Sequence, residues 1–239
     1  MNKVFLLLIA FTACLDCYAQ IDNQVAPSLQ GKAGEETHEV LLETSMGNIR
    51  LELYNETPQH RDNFLKLVRE GFYDGNLWHR VIFNFMIQTG DSTTRHAKPG
   101  EAVGLHSPEY TIPAEIVFPK YFHKRGALAA AREGDAENPE RASSASQFYI
   151  VYGTTFSSLS LDKFQERISQ ATNGTVTLTE DIRDYYRKYG GTPHLDGQYT
   201  VFGEVVEGLD VVRKIQMMKT DDYDRPIDDV KIIKATIVK

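Results

Sequence analysis

The chain has 239 residues, 41% of them hydrophobic and 25% charged, which is the composition of a globular protein with enough chain for a sizeable core. The formal net charge is −7 and no cluster of basic residues stands out, which argues against a nucleic-acid surface. Both cysteines lie within the first 17 residues, so the rest of the chain has no disulfide, thiolate nucleophile or cysteine metal site.

Residues 1–19 have the pattern of an export signal, which predicts a location in the periplasm or on the cell envelope. A positive start at Lys3 precedes the apolar run VFLLLIAFTA at 4–13, which is too short to span a membrane. Two processing routes fit the residues. One is cleavage after Ala19, and the other is lipidation of Cys14 within FTAC, which resembles a bacterial lipobox. A lipid anchor at that cysteine is the one membrane attachment that we expect.

Residues 20–38 are polar and have no apolar period, which predicts a flexible linker. The folded domain is expected to cover 39–239. It begins with alternating apolar residues over 39–54, on either side of a turn at Met46-Gly47-Asn48, and this pattern predicts a β-hairpin.

A helix is predicted over 56–75, with Thr57 as its cap, Pro58 at its first position and Gly71 at its exit. Apolar residues at helical spacing predict a second helix over 208–218. Further strand-like runs lie at 78–82, 85–89, 111–117, 126–131, 147–152, 200–206 and 230–238. Many short strands with two helices favour a mainly β fold, a closed antiparallel barrel capped by helices.

Residues 154–193 have helical rather than strand patterns. Leu161, Phe164 and Ile168 share one face of a first helix, and a Thr-x-x-Glu capping box at 177–180 precedes a second helix that is rich in tyrosine. We predict a helical hairpin inserted into the barrel. Its tyrosines either pack against the barrel or form a surface for a partner or substrate.

The usual sequence signatures of covalent, nucleotide-dependent and metal catalysis are missing. We find no Gly-rich phosphate loop, no Gly-x-Ser-x-Gly elbow and no metal-ligand spacing among the seven histidines, so no cofactor or metal is expected. The unusual segment is WHRVIFNFMIQTGD at 78–91. It places Arg80 and Gln88 among apolar residues, where polar groups are costly unless they have partners.

A tight hairpin turning near Phe83-Asn84 would place Arg80 opposite Gln88, with both side chains on one face. The residues alone leave two interpretations open. This face binds an apolar ligand that also offers hydrogen-bond acceptors, or Arg80 pairs with a carboxylate such as Asp91 or Glu115.

Three ordered motifs then indicate a family. FYDGNLWHRVIFNFMIQTGD at 72–91, RGALAAAR and SQFYIV within 125–151, and LDGQYTVFGEVVEGLDVV at 195–212 resemble cyclophilin-type peptidyl-prolyl cis-trans isomerases. The resemblance runs from about residue 40 to 238, interrupted by 154–193. It implies a closed eight-stranded antiparallel barrel with two helices, and rotamase activity on Xaa-Pro bonds of proline-containing polypeptides.

The resemblance also implies the site residues. Arg80 corresponds to the family's main catalytic group. Phe85, Met86, Phe148 and Leu195 correspond to its proline pocket. The full set of implied substrate-binding residues is Phe85, Met86, Gln88, Ala131, Arg132, Gln147, Phe148, Leu195 and Tyr199.

Six positions depart from the family pattern. Tyr199 stands where a histidine is common, and His194 replaces a tryptophan of cyclosporin-sensitive members. Arg132 replaces an asparagine whose role is largely through its backbone. Tyr149 replaces a pocket phenylalanine, and Phe83-Asn84 replaces Pro-Gly at the bend. Because Arg80 is retained, isomerase activity is expected.

Our leading hypothesis is therefore a monomeric, exported prolyl isomerase that assists the folding of exported proteins. The alternative is a catalytically weak chaperone or scaffold module that binds proline-containing segments, and Tyr199, His194 and the inserted segment motivate it. A third possibility is that the 154–193 hairpin folds over the pocket and gates it.

Overall fold

The computed structural model describes residues 37–239, so the predicted export signal and nearly all of the linker lie outside the described residues. The strands are β1 His38–Thr44, β2 Gly47–Leu53, β3 Arg80–Ile82, β4 Met86–Thr89, β5 Thr111–Ile112, β6 Ala127–Ala130, β7 Ser143–Ser144, β8 Phe148–Val151, β9 Val201–Glu207 and β10 Ile232–Ile237. The helices are α1 Pro58–Arg69, α2 Ser158–Ala171, α3 Glu180–Lys188 and α4 Leu209–Gln216. None of these helices is long and apolar enough to cross a membrane.

Eight strands form one antiparallel sheet in the order β10-β1-β2-β9-β6-β8-β4-β3, and β5 pairs separately with β7. The eight antiparallel strands are as expected, but within 37–239 the end strands β3 and β10 form no ladder that would close a barrel. The sheet curls far enough for single backbone hydrogen bonds to join its ends. Trp78 N–H donates to the Val230 carbonyl at 2.9 Å, and Ile232 N–H donates to the Asn76 carbonyl at 2.8 Å.

The hairpin predicted over 39–54 is confirmed, and its turn falls at Ser45-Met46 because Thr44 already pairs with Gly47. The first helix is shorter than predicted, since α1 ends at Arg69. Gly71 follows the end of α1 with a φ of +65°, the left-handed conformation that favours glycine after a helix.

The start of α1 is capped from a distant part of the chain. Thr57 occupies the cap position, but its hydroxyl donates to the Tyr54 carbonyl and makes no capping bond, so that part of the prediction is wrong. The carboxylate of Glu115 instead accepts hydrogen bonds from the backbone N–H groups of Gln59 and His60, at 3.1 and 3.0 Å. A carboxylate there satisfies two donors that the helix cannot pair itself.

The sheet separates two apolar clusters. Ile87, Phe148 and Ile150 point into the main core, together with the buried face of α1. Met86 and Tyr149 point to the opposite face, where they form a second cluster. Because successive strand residues face opposite sides, β4 and β8 each contribute to both clusters.

The 154–193 segment forms the two helices α2 and α3, which share a third apolar cluster. Leu161, Ile168, Ile182 and Tyr186 are its buried centre, and Tyr186 is fully buried, so this tyrosine packs rather than forming an exposed partner surface. The cap of α3 is Thr179, whose hydroxyl accepts from Ile182 N–H, and not Thr177 as the capping-box pattern predicted.

Candidate active site

A cavity of about 130 Å³ opens on the side of the sheet that carries the second cluster. The β3–β4 hairpin, the end of β6, strand β8 and the turn Pro193–Leu195 surround it. Its lining consists of Arg80, Phe85, Met86, Gln88, Ala131, Arg132, Tyr149, Leu195 and Tyr199. The fold therefore gathers, from three separate stretches of chain, eight of the ten residues that the resemblance implied, and adds Tyr149 from a fourth.

The hairpin register places Arg80 beside Gln88, as predicted from the sequence. The bend tolerates this register because Asn84 adopts a left-handed φ of 57°, a conformation that asparagine accepts more readily than most residues. One guanidinium nitrogen of Arg80 lies 3.3 Å from the Gln88 side-chain oxygen, to which it donates.

The carboxylate nearest to Arg80 is Asp224, which was not among the partners expected from the sequence. The Arg80 Nε atom lies 3.5 Å from the Asp224 Oδ2 atom, and both side chains are more than two-fifths exposed. A long, solvent-exposed ion pair of this kind contributes little stability. The Arg80 guanidinium is therefore held at the cavity rim and remains available to a ligand.

The two carboxylates that were expected as alternative partners of Arg80 are engaged elsewhere. Glu115 caps α1, as described above. Asp91 is buried and accepts from Thr93 N–H and from Gly104 N–H, both at 2.9 Å. Burial alone would raise the pKa of Asp91, but the hydrogen bonds from Thr93 and the neighbouring backbone outweigh it and hold the pKa below its usual value.

The wall of the cavity is largely apolar. Met86 is buried, Phe85 and Leu195 are half-buried, and the ring of Tyr149 lies edge-on to the ring of Tyr199 with centroids 6.1 Å apart. Such a wall, with a cation and amides at one edge, suits a small apolar ring that is attached to polar backbone.

Phe148 does not belong to this wall, which corrects its assignment from the resemblance. It is buried in the main core, where its ring meets Phe64, Tyr73 and Trp78 edge-on at 5.2 to 6.0 Å. Its neighbour Tyr149 lines the cavity instead. The alternation along β8 was the available signal, because adjacent strand residues cannot face the same side.

Gln147 does not line the cavity either, but it is hydrogen-bonded to Gln88, which does. Its side-chain oxygen accepts from the Gln88 amide at 2.9 Å, while its own amide donates to the carbonyls of Gly104 and His106 at 3.0 Å each. Gln147 thus ties Gln88 to the loop that Asp91 anchors, which orients the Gln88 side chain toward Arg80.

The backbone at the end of β6 offers free hydrogen-bonding groups at one residue. Ala131 donates its N–H to the Gln147 carbonyl and accepts from Ser144 N–H, so its groups are used inside the protein. The N–H and C=O groups of Arg132 form no hydrogen bond within 37–239. Of the two residues, Arg132 is therefore the better placed to pair with an extended peptide.

A match to the family described as cyclophilin type peptidyl-prolyl cis-trans isomerase/CLD covers residues 39–237. This chain belongs to the cyclophilin family. The peptidyl-prolyl cis-trans isomerase-like 1 of Aspergillus fumigatus is 32% identical over 203 residues, which are 84% of this chain and 96% of the relative. This cyclophilin is accordingly an enzyme, a peptidyl-prolyl cis-trans isomerase.

Solved structures show the same fold. A cyclophilin type peptidyl-prolyl cis-trans isomerase of Cryptosporidium parvum is similar over 85% of this chain and 99% of its own, with a TM-score of 0.60 and 24% identity. A second structure of that protein, determined in the presence of the dipeptide Ala-Pro, has a TM-score of 0.58.

Two residues that depart from the family pattern, Arg132 and Tyr199, contact each other in this cyclophilin. The guanidinium of Arg132 lies 4.3 Å above the ring of Tyr199, donates to the Gln198 carbonyl and pairs with Asp135 at 2.7 Å. The side chain of Arg132 is only 3% exposed, so it supports the Tyr199 wall rather than reaching toward a ligand.

His79 lies directly before Arg80 in this cyclophilin, and its burial leads us to expect lower stability of the folded protein in acid. Its side chain is buried, and neither ring nitrogen has a hydrogen-bond partner among residues 37–239. Burial therefore lowers the pKa of His79 to about 4. Between pH 6.5 and pH 4 the unfolded chain binds a proton at this residue that the folded chain does not, so the free energy of unfolding falls as the pH falls through this window.

We expect His79→Leu to flatten this part of the pH profile, since each pKa unit corresponds to about 1.4 kcal/mol and the lowering by burial contributes up to about 3 kcal/mol. Urea unfolding at pH 7 and pH 4.5 measures the difference. His96→Leu is the control, because His96 is an exposed histidine on the 3-10 turn Ser92–His96. An identical pH dependence in His79→Leu and wild type would contradict the expectation.

Proposed function

We propose that this isomerase rotates Xaa-Pro bonds in the cavity, with Arg80 as the catalytic hydrogen-bond donor. Phe85, Met86, Leu195 and Tyr149 hold the proline ring, and Tyr199 closes the wall. Gln88 and the free backbone groups of Arg132 hold the peptide on either side of the ring. The observation that carries the proposal is the placement of the Arg80 guanidinium at the rim of an apolar cavity, bonded to Gln88.

The chemistry of rotation needs this arrangement. Rotating an amide bond costs about 18–20 kcal/mol because resonance is lost, and uncatalysed exchange at Xaa-Pro takes tens of seconds or longer. At the twisted transition state the prolyl nitrogen regains its lone pair. A fixed donor such as Arg80 bonds that nitrogen only then, so it stabilises the transition state over the ground state. No proton changes hands in this step.

The experiment that tests the proposal is cis–trans exchange of an Xaa-Pro tetrapeptide, followed by magnetisation-exchange NMR with and without the enzyme. We expect acceleration at low enzyme concentration, in keeping with the Ala-Pro dipeptide that was present with the similar protein. A peptide that binds without faster exchange would favour the catalytically weak binding module instead.

We also propose that the enzyme is exported and acts on exported polypeptides as a monomer. Support for export comes from residues 1–19, with their positive start and apolar run. Gel filtration of the purified protein tests action as a monomer. The clients are then chains that fold outside the cytoplasm and carry Xaa-Pro bonds.

Membrane attachment through Cys14 is tested by lipid labelling. If the FTAC segment is processed as a lipobox, wild type incorporates radiolabelled palmitate and Cys14→Ala does not. Cys17→Ala is the matched control, because it removes the other cysteine and leaves the segment 11–14 intact. Lack of label in wild type would favour cleavage after Ala19 and a soluble exported enzyme.

A further inference from the structure

The turn around Pro193–Leu195 joins the helices α2 and α3 to the cavity through three consecutive side chains. Leu195 lines the cavity. His194 on one side of it contacts both Phe85 of the cavity wall and Phe164 of the 154–193 segment. Asp196 on the other side contacts Tyr186 of that segment and is linked to the cavity wall through His123. No residue of that segment lines the cavity itself, among the residues that the structure describes.

Asp196 is the centre of a buried hydrogen-bond chain. Its Oδ1 atom accepts from the backbone N–H of His123 at 2.8 Å and lies 3.0 Å from the His123 Nδ1 atom. The other ring nitrogen of His123, Nε2, lies 3.0 Å from the Tyr149 hydroxyl. On the far side, the Tyr186 hydroxyl of α3 donates to Asp196 Oδ2 at 2.7 Å. This series of hydrogen bonds thus runs from the cavity wall to α3.

The direction of the hydrogen bonds follows from the carboxylate. Asp196 is completely buried and acts as an acceptor, so His123 carries its proton on Nδ1 and leaves Nε2 to accept from the Tyr149 hydroxyl. Burial raises the pKa of Tyr149 and of Tyr186 well above the usual tyrosine value, so both hydroxyls keep their protons. A buried carboxylate destabilises the fold unless its hydrogen bonds are made. The Tyr186 hydroxyl therefore stabilises Asp196 in addition to the packing of its own ring.

A second connection between the cavity wall and the 154–193 segment is made by aromatic rings. The His194 ring packs against Phe85 of the cavity wall with centroids 5.3 Å apart, and against Phe164 of α2 at 5.9 Å. Burial lowers the pKa of His194 to about 4, so this ring is neutral at physiological pH and packs as an aromatic side chain. Two residues of the cavity wall are therefore supported from the 154–193 segment. Phe85 is supported from α2 and Tyr149 from α3.

We propose that the 154–193 segment is a brace for the proline pocket rather than a gate, and that Tyr186 is a positioning residue that acts on Tyr149 through Asp196 and His123. The inference rests on the proposed function, because it takes the cavity as the substrate site. A gate would have to cover the cavity, whereas α2 and α3 support its wall from behind the turn. Loss of the brace lowers activity, while loss of a gate raises it.

A double-mutant cycle on kcat/KM for an Xaa-Pro tetrapeptide tests this inference. Tyr186→Phe removes only the hydroxyl that bonds Asp196, and we expect it to lower kcat/KM roughly three- to tenfold, mainly through a higher KM. In a Tyr149→Phe background the hydrogen-bond chain no longer reaches the cavity, so Tyr186→Phe is expected to have little further effect. Tyr185→Phe is the matched control on the same helix, since its hydroxyl makes no hydrogen bond within 37–239.

Each outcome is decisive when wild type and Arg80→Ala are measured in the same assay. Equal effects of Tyr186→Phe in both backgrounds, or a loss that only follows the fraction unfolded in a thermal melt, would overturn the positioning role. Higher activity in Tyr186→Phe would favour the gate. An inactive wild type, or an Arg80→Ala variant as active as wild type, would overturn the proposed function itself.

Discussion

Arg80→Ala is expected to lower kcat/KM on an Xaa-Pro tetrapeptide by about 100- to 1,000-fold, the loss that follows removal of one preorganised donor from a transition state. The effect falls on kcat as well as on kcat/KM, because the prolyl nitrogen accepts a hydrogen bond only when the amide is twisted. Exchange NMR on a tetrapeptide, together with a peptide titration, separates the two parameters.

The Arg80 side chain is 45% exposed and its ion pair with Asp224 is long, so this change should leave the melting temperature nearly unchanged. Arg50→Ala is the matched control. Arg50 is a similarly exposed arginine on β2, where it pairs with Glu39 and Glu207 away from the cavity. An Arg80→Ala variant that keeps more than about a tenth of wild-type kcat would remove Arg80 from the catalytic role.

Phe85→Ala is expected to lower kcat/KM about 10- to 100-fold, because burying an apolar ring of this size contributes about 1.5–3 kcal/mol. The proline ring contacts this wall before and during rotation, so we expect the loss to appear mainly as a higher KM. Steady-state kinetics over a range of peptide concentrations measures it.

The chain offers a close control for this change at the same bend. Phe83 is two residues earlier, is 63% exposed and does not line the cavity, so Phe83→Ala should leave both kcat and KM near wild type. If the two alanine variants had the same KM, the apolar wall would not be the binding surface for proline.

Much of the fold was predictable from short stretches of sequence. The register of the β3–β4 hairpin follows from strand alternation around a tight bend, and it places Arg80 opposite Gln88. The glycine exit of α1 follows from the need for a left-handed residue after a helix. These features depend on neighbours a few residues apart, and local patterns report such neighbours directly.

The contacts that complete the site come from distant parts of the chain and were missed. Glu115 replaces Thr57 as the effective cap of α1, and Asp224 rather than Asp91 lies beside Arg80. Strand alternation predicts that Phe148 and Tyr149 lie on opposite faces of β8. Which of the two faces meets the core depends on the neighbouring strands, so the sequence pattern of β8 alone does not give it.

The family, the strand and helix segments, and most of the residues around the cavity could be predicted from the sequence, since ordered motifs and apolar periods are local properties. How the cavity wall is supported could be read only from the folded structure. Tyr186, Asp196, His123 and Tyr149 lie in three separate stretches of chain, and no period or spacing links them. A buried carboxylate such as Asp196 needs hydrogen-bond donors, and the fold brings these donors together from distant positions in the sequence. Their proximity is a property of packing and not of sequence order.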